Sequence, residues 1–395
     1  MIMTILVRIA IGVMQLFYQF FKLFPVKNKI VFISRQANEP SLDFNMLADE
    51  IKREHPDYET VMLCKMLNSG ISRKIAYVLN ILTQEYHMAT SKAVILDSYC
   101  IAASVLRHRK SLLVIQMWHS VGTMKKFGYS ILDKPEGSSS RIAHLMKMHH
   151  GYSYVLCAGE GYVDHLAQGF NVDPSIIKIF PLPRVELLQN KEHIEKKRRE
   201  IFAAYPELDT EADHDQARKN DQPRKKNIVY VPTFRRAEDT DFDEALADLA
   251  AALDPEKYNL IVKAHPLSGY HGQKFETKSR FLTCDEFSSM DMLLVADAVI
   301  SDYSCIIYEA AVLMKPLYFY TYDYDSYMST RDIYMDYKKE IPGPMASDGR
   351  SLAKAIDDMD NYDMDRLAAF LRKYVRVTGH ETRDITEFIF EHIER

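Results

Sequence analysis

The chain has 395 residues, enough for two or three domains at roughly 150 residues each. Apolar residues make up 47% and charged residues 27%, a balance that excludes a disordered chain. The 50 Lys and Arg against 55 Asp and Glu leave a net charge of −5, so a basic nucleic-acid wrapper and an acidic tail protein are excluded and no nucleic-acid partner is expected. Five scattered cysteines (Cys64, Cys100, Cys157, Cys284, Cys305) show no CxxC spacing. That argues against a disulfide framework or a structural zinc site and for a reducing compartment.

Residues 1–25 read as a membrane-associating amphipathic segment. Thirteen uncharged residues, IAIGVMQLFYQFF, lie between Arg8 and Lys22. A spanning helix needs about 20 apolar residues, so the run is short for that purpose. Thr4, Arg8, Gly12, Gln15, Gln19 and Lys22 recur at helical spacing and form one polar stripe against Ile, Leu, Val, Met and Phe. This pattern predicts an interfacial helix with its apolar face in lipid and its polar stripe toward headgroups. The first 38 residues contain Arg8, Lys22, Lys27, Lys29 and Arg35 and no acid, a composition drawn to an anionic membrane surface. The same pattern also suits a helix docked on a protein core.

Short apolar runs then alternate with helical patterns. KIVFISR (29–35), TVMLCKM (60–66), AVILDSY (93–99), LLVIQMW (112–118), YVLCAG (154–159) and IIKIFPL (176–182) read as strands, with helices near 74–90 and 161–169. Such alternation predicts a parallel sheet with crossover helices over 26–190. Residues 191–226 hold 19 charged residues in 36 and read as a boundary helix and linker. A second α/β set occupies 227–395. NIVYVPTF (227–234), NLIVKAHP (259–266), a strand near 281–284, AVISDYS (298–304) and PLYFYTYD (316–323) are its strands. Helices are expected near 242–253 and 304–314, and the tail from about 349 looks helical throughout. The fold class is α/β, with two doubly wound domains facing a cleft and ligands expected beyond the carboxyl ends of the strands.

Chemistry-bearing residues fall at those strand ends. His119 follows LLVIQMW and precedes Ser120, Lys125 and Lys126. An imidazole there can act as a general base, and the two lysines can hold phosphate and disfavour its charged form. A histidine in such a loop is also commonly an ordinary surface or core residue. His265 ends Lys263-Ala264-His265-Pro266 and can donate to a phosphate oxygen or serve only the turn. Ser301-Asp302-Tyr303-Ser304 ends a strand and opens a helix that contains Glu309. It reads either as a plain helix cap or as a phosphate-binding helix start, with Glu309 accepting from a ribose. Thr233 and Arg235 follow a strand, and Arg331 lies in a loop, as further candidate anion ligands. Asp302, Asp323 and Asp325 lack metal-ligand spacing, so no metal or cofactor is expected. Walker, GxGxxG and GxSxG elements are absent.

Five segments carry a family resemblance. QMWHSVGTMKKFG resembles the histidine segment of the CDP-glycerol glycerophosphotransferases of teichoic acid synthesis. YVPTFRR, VKAHP, SDYSCIIYEAAVLMKPLYFY and RDIYMDYKKEIPGP resemble later motifs of that family, in its order. The chain departs from the pattern at Ser120, Cys305 and Asp332. The resemblance implies a GT-B-like fold and an N-terminal membrane-associating segment. It implies a CDP-glycerol or CDP-ribitol donor and a polyprenyl diphosphate-linked glycan or alditol-phosphate chain as acceptor, with CMP released at the cytoplasmic face of the membrane. By this resemblance His119 and His265 are catalytic. Thr233, Arg235, Lys263, Ser301, Asp302, Ser304, Glu309 and Arg331 bind the donor, and Ser120, Lys125 and Lys126 the acceptor or a phosphate. The same fold also serves sugar-nucleotide glycosyltransferases and epimerases, and an inactive membrane scaffold would keep it too.

Overall fold

The computed structural model describes residues 2–66, 71–209, 224–233, 240–264 and 281–394. They divide into two compact units, residues 1–186 with 376–395, and residues 187–375.

The first unit opens with helix α1 (Ile2–Phe21). A six-stranded parallel sheet follows, built from β1 (Lys29–Ser34), β2 (Glu59–Cys64), β3 (Ala93–Leu96), β4 (Leu113–Gln116), β5 (Tyr154–Cys157) and β6 (Ile177–Ile179) in the order β2-β1-β3-β4-β5-β6. Helices α2 (Leu42–Glu54), α3 (Ile71–Ala89), α4 (Ile101–Val105), α5 (Ser140–Leu145), α6 (Val163–Phe170) and α7 (Arg184–Leu187) connect them. The central strands are buried on both faces, which explains their continuous apolar runs.

The second unit begins with α8 (Lys191–Ala204), whose first turn is capped by the Asn190 side chain accepting from the His193 N–H. Its sheet is also all parallel, in the order β11-β10-β9-β7-β8, with β7 (Lys226–Val231), β8 (Tyr258–Val262), β9 (Ala298–Ser301), β10 (Leu317–Tyr320) and β11 (Met345–Ala346). Its helices are α9 (Thr240–Ala252), α10 (Ser289–Leu293), α11 (Ile306–Val312), α12 (Tyr324–Thr330), α13 (Tyr337–Glu340), α14 (Gly349–Asp357) and α15 (Met364–Tyr374). The strand expected near 281–284 is a single bridge between Ile261 and Leu282.

Two boundaries differ from the sequence reading. The charged boundary helix expected at the start of 191–226 is α8, and it is part of the second unit. The second domain does not run to residue 395, because α16 (Glu381–Ile393) returns to the first sheet. Its Ile385, Phe388, Ile389 and Phe390 join one buried cluster with Ile30, Phe32, Phe44 and Ile115. The tail, expected to be helical throughout, holds three α-helices separated by short connections.

Helix α1 docks on the body along one edge and leaves the other bare. Tyr18 is fully buried, and its hydroxyl meets His108 Nδ1 at 2.7 Å. Gln15 Oε1 accepts the Arg107 N–H, and Lys22 Nζ donates to the Arg107 carbonyl. Arg141 donates to the Thr4 hydroxyl. Part of the polar stripe therefore faces protein rather than headgroups. Ile5, Ile9, Val13, Leu16 and Phe20 stay exposed, with Leu16 71% accessible. Thr4–Phe21 has a mean hydropathy of 1.5 and is long and apolar enough to cross a membrane by length and composition.

Candidate functional site

Both sheets reverse their winding direction once, between β1 and β3 and between β7 and β9. Such switch points leave a crevice beyond the carboxyl ends of the strands, where ligands of doubly wound folds bind. Of the sequence-derived candidates, His119, Ser120, Thr233, Ser301 and Asp302 stand at the carboxyl ends of strands.

In the first unit, β4 runs out into Met117, Trp118 and His119. Trp118 takes a left-handed backbone, φ 63°, which is a genuine outlier for a bulky residue and persists only when its surroundings hold it. Gln116 provides part of that hold. Its fully buried amide oxygen accepts the Trp118 N–H, while its nitrogen donates to the Ser98 carbonyl and lies 3.2 Å from the Tyr152 hydroxyl. The indole packs against the rings of Phe127, Phe170 and His119. Gly128 also has a positive φ, and a Cβ there would lie 2.2 Å from the Gly169 carbonyl oxygen, so only glycine fits.

This reversal turns the His119 ring back toward the end of β3. His119 Nδ1 lies 3.0 Å from the Asp97 carbonyl oxygen. A carbonyl can only accept, so Nδ1 carries the hydrogen and the Nε2 lone pair remains as the basic site. Burial holds the imidazole below its ordinary pKa, the Asp97 hydrogen bond opposes that shift, and the Arg184 guanidinium adds to it. The neutral, proton-accepting form is therefore favoured. The cation acting on His119 is Arg184, which corrects the expectation that Lys125 and Lys126 would play that part; both lysines stand half-buried in the loop before Gly128. Arg184 is fixed by Asp43 through its Nε at 2.9 Å and its backbone N–H at 3.0 Å, and it reaches the His119 carbonyl at 3.4 Å. The Ser120 hydroxyl donates to the Gly122 carbonyl and so shapes the turn after the histidine.

In the second unit, Asp302 follows β9 and is fully buried. One of its oxygens accepts the Thr233 N–H at 2.7 Å, the Thr233 hydroxyl at 2.6 Å and the Tyr303 N–H at 2.6 Å. It thus ties the end of β7 to the end of β9 across the switch point. The Ser301 hydroxyl donates to the Val231 carbonyl, a further tie between these strands. Tyr337 donates to the Asp302 carbonyl, and the Tyr303 ring stacks on Tyr327 at 3.7 Å. Tyr303 donates to Asp323, so that carboxylate serves the loop. Among the described residues no group of three His, Cys, Asp or Glu could hold a metal ion.

The remaining donor-side candidates have varied placements. The Lys263 ammonium donates to the carbonyls of Thr283 and Cys284 and is largely buried, so it pins the segment after β8 rather than presenting its charge at the strand end. Helix α11 starts at Ile306, two residues later than expected, with Cys305 as its cap; Ser304 Oγ accepts the Ile306 N–H at 3.4 Å. Glu309 is buried within α11, and Arg331 closes α12 with its N–H on the Tyr327 carbonyl. Arg235 and His265 lie outside the described residues. Sequence reading missed Asp97, Gln116, Asp43 and Arg184. The signal available for the first two was a polar residue within or just after an apolar strand.

Two compact units, each with an all-parallel sheet that switches winding direction once, make a doubly wound α/β architecture. The wall teichoic acid polymerase TagF superposes with a TM-score of 0.71 at 18% identity, covering 100% of this chain and 98% of that one. The UDP-GlcNAc 2-epimerase of Methanocaldococcus jannaschii, solved with UDP-GlcNAc and UDP, gives a TM-score of 0.55 at 13% identity over 92% of this chain and 99% of that one. These likenesses show the fold.

Residues 16–391 match the model of the CDP-glycerol:poly(glycerophosphate) glycerophosphotransferase family, and the chain belongs to that family. The teichoic acid ribitol-phosphate primase of Bacillus spizizenii is 31% identical over 98% of this chain and 97% of its own length. The teichoic acid glycerol-phosphate primase of Bacillus subtilis is 27% identical over 92% of each chain. The protein is an enzyme, a CDP-alditol phosphotransferase of teichoic acid biosynthesis.

Proposed function

We propose that the chain transfers ribitol phosphate from CDP-ribitol to a hydroxyl of a lipid-linked glycan, as a primer rather than a polymerase, at the cytoplasmic face of the membrane. The observation that carries the chemistry is His119. It is held neutral and oriented through Nδ1 by the Asp97 carbonyl, with Nε2 left to accept a proton. The acceptor hydroxyl attacks the phosphorus bonded to the alditol and gives its proton to Nε2. A new O–P bond forms, the diphosphate P–O bond breaks, and CMP leaves.

Thr233, Asp302, Ser304 and Glu309 frame the donor, while Arg331, Arg235 and His265 neutralise its diphosphate. Lys263 and Ser301 support that frame by holding its backbone. Lys125 and Lys126 attract the phosphorylated acceptor, and Ser120 keeps the turn that presents His119. Phosphoryl transfer depends chiefly on such positioning and electrostatics.

Ribitol and priming are favoured by the ribitol-phosphate primase, 97% of whose length aligns with this chain at 31% identity. Incubating the enzyme with a lipid-linked acceptor and either CDP-ribitol or CDP-glycerol, then weighing the product, tests this. One ribitol-phosphate unit is expected. Long products, or turnover confined to CDP-glycerol, would overturn the ribitol-primer reading.

A further inference from the structure

A groove runs between α1 and α5, and its lining is one-signed. Arg8 and Thr4 contribute from α1, Ser140, Arg141 and His144 from α5, and Lys147 from the turn beyond; among the described residues no carboxylate lines it. Arg141 bonds the Thr4 hydroxyl and so ties the two walls together. The His144 Nδ1 donates to the Ser140 carbonyl at 2.6 Å, which leaves its Nε2 available to a ligand. Lys147 is exposed on a left-handed backbone, φ 47°, where α5 ends. Three permanent cations held around one concavity repel each other, and an anion in the groove relieves that repulsion.

The neighbouring surface identifies the kind of anion. Ile5, Leu6 and Ile9 of α1 and Ile142 of α5 are exposed, Ile9 to 58%. An apolar helix face of this kind lies in the interface plane, some 5–10 Å into the headgroup and acyl boundary. With α1 at that depth, a groove formed against α1 stands at the level of the lipid phosphates. We infer that this groove is a binding site for the phosphate headgroup of an anionic bilayer lipid, with Arg8, Arg141 and Lys147 as its ligands. The inference rests on the membrane-side reading of α1 and is independent of the transfer chemistry.

Flotation of the full chain with vesicles tests it. Neutral phosphatidylcholine vesicles read α1 alone, and vesicles that also contain phosphatidylglycerol read the groove. Arg141→Gln with Lys147→Gln is expected to lower partition onto the anionic vesicles roughly tenfold or more, at about 1 kcal/mol per cation removed, and to leave the neutral vesicles unchanged. Lys52→Gln with Lys178→Gln removes the same charge from α2 and β6 and is expected to change partition far less. Arg8→Gln tests the opposite wall without altering α5. Equal losses in the control pair would overturn the site in favour of a diffuse field. Unchanged partition in both groove variants would also overturn it, as would calorimetric binding of inorganic diphosphate at the groove with no effect on vesicles. Failure of the wild type to bind neutral vesicles would instead remove the premise about α1.

Discussion

The imidazole Nδ1 of His119 lies 3.0 Å from the backbone carbonyl of Asp97, a residue 22 positions earlier at the end of the neighbouring strand. A carbonyl can only accept, so this contact favours the Nδ1–H tautomer, and in the proposed transfer Nε2 takes the acceptor proton. Loss of a general base typically costs about 10²–10⁴-fold. His119→Ala is expected to lower kcat by that order, with near wild-type melting temperature and donor KM. Single-turnover rates and melting curves on one preparation check this. A variant that melts normally and turns over at near the wild-type rate would remove His119 from the mechanism.

Arg184 acts electrostatically on the proposed base. Its charge disfavours the imidazolium, so removing it raises the His119 pKa toward the ordinary value. The neutral form is needed for proton abstraction, so the acidic limb of the kcat profile should move to higher pH in Arg184→Gln. Asp43 is almost fully buried, and this variant leaves its carboxylate without the guanidinium, so stability should fall as well. Arg184→Gln with Asp43→Asn should recover most of that stability and keep the shifted limb. An unshifted limb in both variants would show that Arg184 does not set the basicity of His119.

Much of this architecture was legible in the chain. Apart from the run near 281–284, which is a single bridge, and the short β11, which was not expected, the strand runs match to within a few residues because the central strands of both sheets are parallel and buried, so their apolar runs are unbroken. His119 was legible because it follows such a run directly. Asp43 and Arg184 were not, since they stand 141 residues apart and only the packing of the β6 end against α2 brings them together. The return of α16 to the first sheet was hidden for a similar reason: its apolar stripe fits either sheet equally well. The side of α1 that meets the protein was misjudged because Thr4, Gln15 and Lys22 read as a stripe for water or headgroups, while here they bond the body.

Donor affinity should depend on Asp302 although its carboxylate points into the fold. Three hydrogen bonds converge on one oxygen, and hydrogen bonds to a charged group contribute about 1.5–3 kcal/mol each. Asp302→Asn is expected to loosen the Thr233 turn and weaken CDP-alditol binding roughly tenfold or more. Arg331→Ala should weaken it as well, and His119→Ala should leave it nearly unchanged. Calorimetry on the three variants decides. Loss of donor binding in His119→Ala alone would reverse the assignment of roles.

Glu85 makes the first unit sensitive to pH. It is fully buried in α3, neither carboxylate oxygen has a hydrogen-bond partner among the described residues, and burial pushes its pKa from 4.5 up to about 7. The folded state therefore binds this proton more tightly than the unfolded chain does. The associated stability is fully present below about pH 4.5 and is lost as pH rises through about 7. Glu85→Gln mimics the protonated form at every pH. It is expected to match the wild type in acid and to exceed it above pH 7 by a margin on the order of 1–3 kcal/mol. Melting curves at pH 5.5 and 8.5 compare the two, and a constant difference across that range would contradict the assignment.

The exposed face of α1 should be separable from its docked edge. Deleting the helix would also remove Tyr18 from His108 and the ring of Phe21 from Tyr86, so lost binding could then reflect a damaged fold. Leu16 and Phe20 avoid that ambiguity, because they are 71% and 55% accessible and point away from the docked edge. Leu16→Glu with Phe20→Glu places two charges where lipid contact is proposed. A carboxylate there must stay hydrated, and each lost apolar side chain forfeits about 1.5–3 kcal/mol of burial in the interface. The double variant should keep its melting temperature and lose partition onto neutral vesicles by two orders of magnitude or more. Turnover of a lipid-linked acceptor in vesicles should fall with it, while turnover of a short-chain acceptor in detergent-free solution should not. Undiminished flotation of the double variant would mean that this face does not enter the bilayer.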